Sequence, residues 1–160
     1  MRAGWRTLLA GRTVALIGDQ FYSRTLKTEL EAKGASVVYP RAASGGVLAD
    51  ANAADAVVRD VLALHPRPDI VVVYHPRLDL HDGSLHCAPA VELARRLTTH
   101  GVPTLILDHF RAMDSADERT LQDAGARIAS MQTFHAGHAA LLVSRILAQR
   151  SRNDAPPERL

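Results

Sequence analysis

An apolar run followed by an amphipathic stretch recurs five times along this chain, and no other feature restricts its fold so strongly. Strict alternation of this kind is the mark of a parallel sheet covered by helices on both faces. The runs are Thr13–Gly18, Ser36–Tyr39, Asp69–Tyr74, Pro103–Leu107 and Ala126–Ser130. The first four are short apolar blocks rich in Val, Ile and Leu, without the alternation of a strand that faces water, and Ala126–Ser130, which contains Arg127, reads as a fifth, weaker strand. Right-handed crossovers leave few ways to order five such strands. The expected architecture is α/β: a doubly wound, five-stranded parallel sheet in the order 2-1-3-4-5.

The intervening stretches carry helical spacing. Tyr22, Leu26 and Leu30 recur every four residues and stop at Gly34, a suitable residue just past a helix end. Val57, Val58, Val61 and Leu62 form one face of a second helix, with Asp50 or Asn52 as its cap. Pro89 suits the first turn of a third, which carries Val91, Leu93, Ala94 and Leu97 and ends at Gly101. Ser115 with Glu118 reads as a capping box for a short fourth helix. The fifth is expected to start near Thr133 or Phe134 and to bury Leu142, Ile146 and Leu147. Residues 41–50 and 75–88 read as loops. A single domain is expected over 1–150, with a disordered tail over 151–160.

At 160 residues the chain is long enough to bury a sizeable core, and with only 4% aromatic residues that core must be aliphatic. Nineteen Lys and Arg against 17 Asp and Glu give a net charge of +2, too small and too interspersed to imply nucleic acid or anionic lipid as a partner. Cys87 is the only cysteine, which excludes an internal disulfide and a Cys-rich metal knuckle. No run approaches the ~20 apolar residues of a membrane span, and Met1–Ala10 lacks a secretory signal. A cytoplasmic protein is the expectation.

In open parallel sheets, sites form beyond the carboxyl ends of the strands. Those positions hold Gly18 and Asp19, Tyr74 and His75, Asp108 and His109, and Gln132 and Thr133. Elsewhere, Ser44-Gly45-Gly46 lacks the Lys-Ser/Thr of a phosphate loop, and Gly18 begins no dinucleotide fingerprint. His135 and His138 lie one helical turn apart, His81 and His86 flank no recognised spacing, and nothing marks a base to activate Cys87. Arg145, Arg150 and Arg152 suit either an acidic partner or the negative end of a helix dipole.

At these strand ends the chain resembles the receiver domains of bacterial response regulators. Ala15-Leu-Ile-Gly-Asp-Gln20 is similar to that family's opening strand and acidic pair. Pro68-Asp-Ile-Val-Val-Val-Tyr74 is similar to the strand ending in the phosphorylated aspartate, and Val102–Asp108 to the strand ending in a Thr or Ser. Gly125–Phe134 has the length of the segment that ends Lys-Pro-Phe. The resemblance covers residues 12–148 and implies a CheY-like (βα)5 fold.

It also locates departures. Asp19 takes the second place of the acidic pair, but Gly18 takes the first. Tyr74 stands at the phosphoacceptor, Asp108 at the Thr/Ser switch and Gln132 at the phosphate-binding Lys. An acyl phosphate needs a carboxylate nucleophile, a divalent ion held by oxygens, and a cation. Magnesium binding is therefore expected to be weak or absent, and ordinary phosphorylation to fail. The resemblance then implies a pseudo-receiver that acts through a protein partner, or as a homodimer, using its fourth helix, fifth strand and fifth helix. The rival is a small metal- or ligand-dependent enzyme or binder, in which Asp19, His75, Asp108 and His109 gather at one rim. The simpler expectation is that Asp19 and Asp108 are solvated residues at loop ends.

Overall fold

The computed structural model describes residue 4 and residues 7–18, 20–41, 51–75, 87–109, 113–131 and 135–154. For residues 20–22, 51–53, 75, 87–88, 109 and 131 it describes the backbone alone. Strands and helices alternate as β1 (Thr13–Ile17), α1 (Gln20–Ala32), β2 (Ser36–Val38), α2 (Ala51–Ala63), β3 (Ile70–His75), α3 (Cys87–Thr99), β4 (Thr104–His109), α4 (Ser115–Asp123), β5 (Arg127–Met131) and α5 (Ala136–Asn153). The five strands form one sheet in the order β2-β1-β3-β4-β5, every pair parallel, as the alternation implies.

Successive residues of a strand point to opposite faces, and the core divides accordingly. Ala15, Ile17, Val71, Val73 and Ile106 face a layer made by α2, α3 and α4, where Val57, Leu93, Leu97 and Leu121 are buried. Val14, Leu16, Ile70, Val72, Tyr74, Leu105 and Leu107 face α1 and α5 through Leu26, Leu30, Val143 and Leu147. Both faces of the inner strands are therefore dry, which is why their sequences are continuous apolar runs.

Helix ends are set by local chemistry. Gly34, at φ +94°, donates to Glu31 O, while Ala35 N donates to Leu30 O. This pair of bonds closes α1 in a turn that needs a left-handed residue. The same two bonds recur at the ends of α3 and α4, through Gly101 and Val102 and through Gly125 and Ala126.

Three helix boundaries differ from the sequence reading, and one of the two caps read for α2 is excluded. The cap of α4 is Asp114, whose Oδ1 accepts from Ala116 N (2.9 Å) and Asp117 N (2.8 Å); its carboxylate takes the role expected of the Ser115 hydroxyl one residue on. Asn52 lies inside α2 and so does not cap it, and Asp50 lies outside the described residues. α5 starts at Ala136, with His135 at the cap position making no side-chain bond. It also runs through Ser151–Asn153, which the sequence reading assigned to the tail. Ser151 Oγ accepts from Arg12 Nη2 (2.7 Å) and donates to Leu147 O (3.2 Å), tying the last turn to the start of β1. Among the described residues no helix is long and apolar enough to cross a membrane.

Candidate functional site

The carboxyl ends of β1, β3 and β4 lie side by side. β1 ends at Ile17, opposite Val73, and β3 continues through Tyr74 and His75. Tyr74 belongs to the face covered by α1 and α5, is 3% exposed, and packs in the cluster that includes Leu16, Leu107, Ala139 and Ala140. Its neighbour across the strand end is Gly18. Gly18 has φ +140°, and a Cβ added there would sit 2.6 Å from Tyr74 Cβ and 2.7 Å from Tyr74 O. Both the backbone angle and the space exclude a side chain at this position. The structure thus joins two of the sequence candidates in one contact, carbon against backbone, at the mouth of the sheet.

Asp108 is the second feature. β4 is paired on both sides and extends two residues further than its apolar run, to His109. The expectation of a solvated loop end therefore fails for Asp108, which is 2% exposed within the strand. Its register partners are His75 on β3 and Ser130 on β5. Asp108 Oδ2 lies 3.4 Å from both Met113 N and Ser130 Oγ. These long bonds solvate a buried carboxylate from the turn before α4 and from the edge strand. Ser130 had no place among the sequence candidates; only the register reveals it.

Asp19 and Gln132 lie outside the described residues, as do Thr133, His81, His86 and the Ser44-Gly45-Gly46 segment. His75 and His109 are placed by backbone alone, in β3 and β4, and Cys87 likewise at the start of α3. Among the described residues, no three His, Cys, Asp or Glu side chains group as metal ligands do. Of the proposed four-residue rim, the Asp108 side chain alone falls within that set. His135 and His138 are both exposed.

A second surface lies at the β5 edge of the sheet. Between α4 and α5 a groove of about 400 Å³ has a floor that includes Leu105, Ile128 and Leu142, and two exposed arginines, Arg127 and Arg145, on its walls. Gln122 and Gln149 complete its polar margin, and no acidic residue lines it among the described residues. Among the described residues neither arginine has an ion-pair partner.

No protein-family model matches the chain, and no curated protein matches it in sequence. Its backbone, however, is similar to several solved structures. An orphan response regulator of H. pylori superposes with a TM-score of 0.60 at 14% identity, covering 86% of this chain and 98% of that one. A response regulator from Thermotoga maritima gives 0.58 at 16% identity, covering 86% and 98%. A CheY-like receiver domain protein from Methanospirillum hungatei gives 0.62 at 10% identity, covering 90% and 98%. At such identities the likeness establishes the receiver, CheY-like fold.

Proposed function

We propose that this chain is a pseudo-receiver: a signalling module that works without phosphorylation, through contact with another protein. The observation that carries the reading is the Gly18–Tyr74 contact. By resemblance, Tyr74 holds the place of the phosphorylated aspartate and Gly18 that of a magnesium-binding acid. A phenol buried at 3% exposure offers no carboxylate to form an acyl phosphate, and a side chain at Gly18 has no room. The buried carboxylate of Asp108, at the place of the switch Thr or Ser, would repel a phosphoryl group brought near it. On this reading magnesium is not a cofactor and the chain is not an enzyme.

The docking surface in this proposal is the α4–β5–α5 face, engaged by a partner protein or by a second copy of the chain. Its apolar floor supplies buried area, and Arg127 and Arg145 select acidic side chains, which guanidinium groups bind in a forked geometry. The enzyme alternative keeps one observation in its favour, that buried Asp108 stands in register with His75. The bonds it accepts from Met113 N and Ser130 Oγ favour a structural role instead.

Thermal unfolding of the full chain with magnesium and beryllofluoride, a phosphoryl mimic, tests the proposal against a functional receiver as control. The chain's midpoint is expected to stay unchanged while the control's rises. A rise that requires both magnesium and beryllofluoride would overturn it.

A further inference from the structure

The amino-terminal end of the sheet carries a second cavity, of about 250 Å³, between the starts of β1 and β3 and the last turns of α3 and α5. It lies about 15 Å from the Tyr74 end, the length of a five-residue strand, and shares no residue with it. Asp69 closes one side: its Oδ2 accepts from Thr13 N (2.8 Å) and its Oδ1 from Arg12 Nη1 (3.2 Å). Arg12 and Asp69 thereby neutralise each other and fix the wall.

The remaining charges are unbalanced. Arg67, His100 and Arg150 line the cavity, and among the described residues none of them has an ion-pair partner. With Asp69 paired to Arg12, Asp154 is the one carboxylate among the described residues set against them. Two arginines against one aspartate leave one positive charge, or two when His100 is protonated. Arg150 crosses the closing turn of α3: its Nη2 lies 3.9 Å from where a Cβ on Gly101 would stand. The negative ends of α3 and α5 account for a cation at Arg150. They do not account for Arg67, which comes from the loop between α2 and β3.

We infer that this basal cleft binds a small phosphate-bearing anion. Two guanidinium groups from different elements present forked N–H donors suited to phosphate oxygens. The cavity falls below the roughly 300–1,000 Å³ that takes larger ligands, so the ligand is a phosphate monoester or an inorganic phosphate. The helix carbonyl ends repel anions, which leaves the arginines and His100 to supply the attraction.

Nuclear magnetic resonance titration of the full chain with inorganic phosphate, glycerol 3-phosphate and citrate, at constant ionic strength, tests this. Saturable shifts are expected for at least one phosphate, concentrated at the amides of Arg67 and Asp69 and of residues 100–102 and 150–154. Arg67→Ala is expected to weaken binding about tenfold or more with no loss of thermal stability, because Arg67 is exposed. Arg150→Lys, which keeps the charge at the helix end, is expected to weaken it as well. Absence of saturable binding by either phosphate overturns the inference, as does unchanged affinity in Arg67→Ala. Citrate binding as tightly as both phosphates overturns the assignment to phosphate.

Discussion

Replacing Gly18 by alanine isolates the contact on which the functional reading rests. Two costs add. A non-glycine residue held at φ +140° carries backbone strain of about 1–3 kcal/mol. The new Cβ also meets Tyr74 Cβ at 2.6 Å and Tyr74 O at 2.7 Å. The second of these is backbone of a central strand paired to β1 and β4, and it cannot retreat without disturbing a ladder. Overpacking of this kind costs about 1–3 kcal/mol. The expected loss is therefore about 2–6 kcal/mol, measured by urea unfolding, and each kcal/mol lowers the thermal midpoint by about 2–4 °C in a domain of this size. Gly11→Ala is the control: Gly11 also has a positive φ, +74°, but nothing lies within 4 Å of its added Cβ. It carries the left-handed penalty of about 1–2 kcal/mol alone, and both variants share the smaller unfolded-state effect of losing a glycine. If Gly18→Ala costs no more than Gly11→Ala, the steric argument fails, and with it the claim that an acid is excluded from this position.

Four further substitutions probe the frame around the site. Asp114→Ala is expected to lose about 1 kcal/mol through the α4 cap while Ser115→Ala stays within about 0.5 kcal/mol; equal losses in chemical denaturation would restore Ser115 as the cap. Thr104 Oγ1 is buried with no hydrogen-bond partner among the described residues. Thr104→Val is therefore expected to be neutral or to stabilise by up to about 1 kcal/mol, and a clear loss in the same assay would reveal an unseen partner. Asp108→Ala removes the acceptor for Met113 N and Ser130 Oγ. It is expected to cost about 1–3 kcal/mol, and hydrogen exchange should quicken at Met113; unchanged protection there would show that the carboxylate does not hold the turn.

The strands could be read in the sequence because both faces of β1, β3 and β4 are dry, so Val14–Ile17, Ile70–Val73 and Leu105–Leu107 had to be apolar without interruption. Their ends could not. His75, Asp108 and His109 are polar, yet pairing with neighbouring strands carries the ladder past the apolar run. Local pattern misplaced the α4 cap for a related reason: Ser115 and Glu118 fit a capping box, but the adjacent Asp114 carboxylate accepts from Ala116 N and Asp117 N and starts the helix one residue earlier. The end of α5 depends on a bond from Arg12, 139 positions away, to Ser151, a tertiary effect invisible to composition.

The candidate site was legible as a set of positions and not as an arrangement. Strand order brings Gly18 and Tyr74 together, but their fit depends on a φ angle and a close approach that no residue spacing encodes. Ser130 entered only through its register with Asp108. The basal cleft was missed because attention to carboxyl strand ends passes over the opposite end, where Arg12, Arg67 and Arg150 arrive from three separate parts of the chain.

Intact-mass spectrometry after incubation with acetyl phosphate and magnesium, beside a functional receiver, tests the central claim most directly. The expected result is an unmodified chain under conditions that label the control. A stoichiometric phosphoryl adduct, abolished by changing Asp19 or Asp108, would contradict it and establish a rearranged but working phosphorylation site.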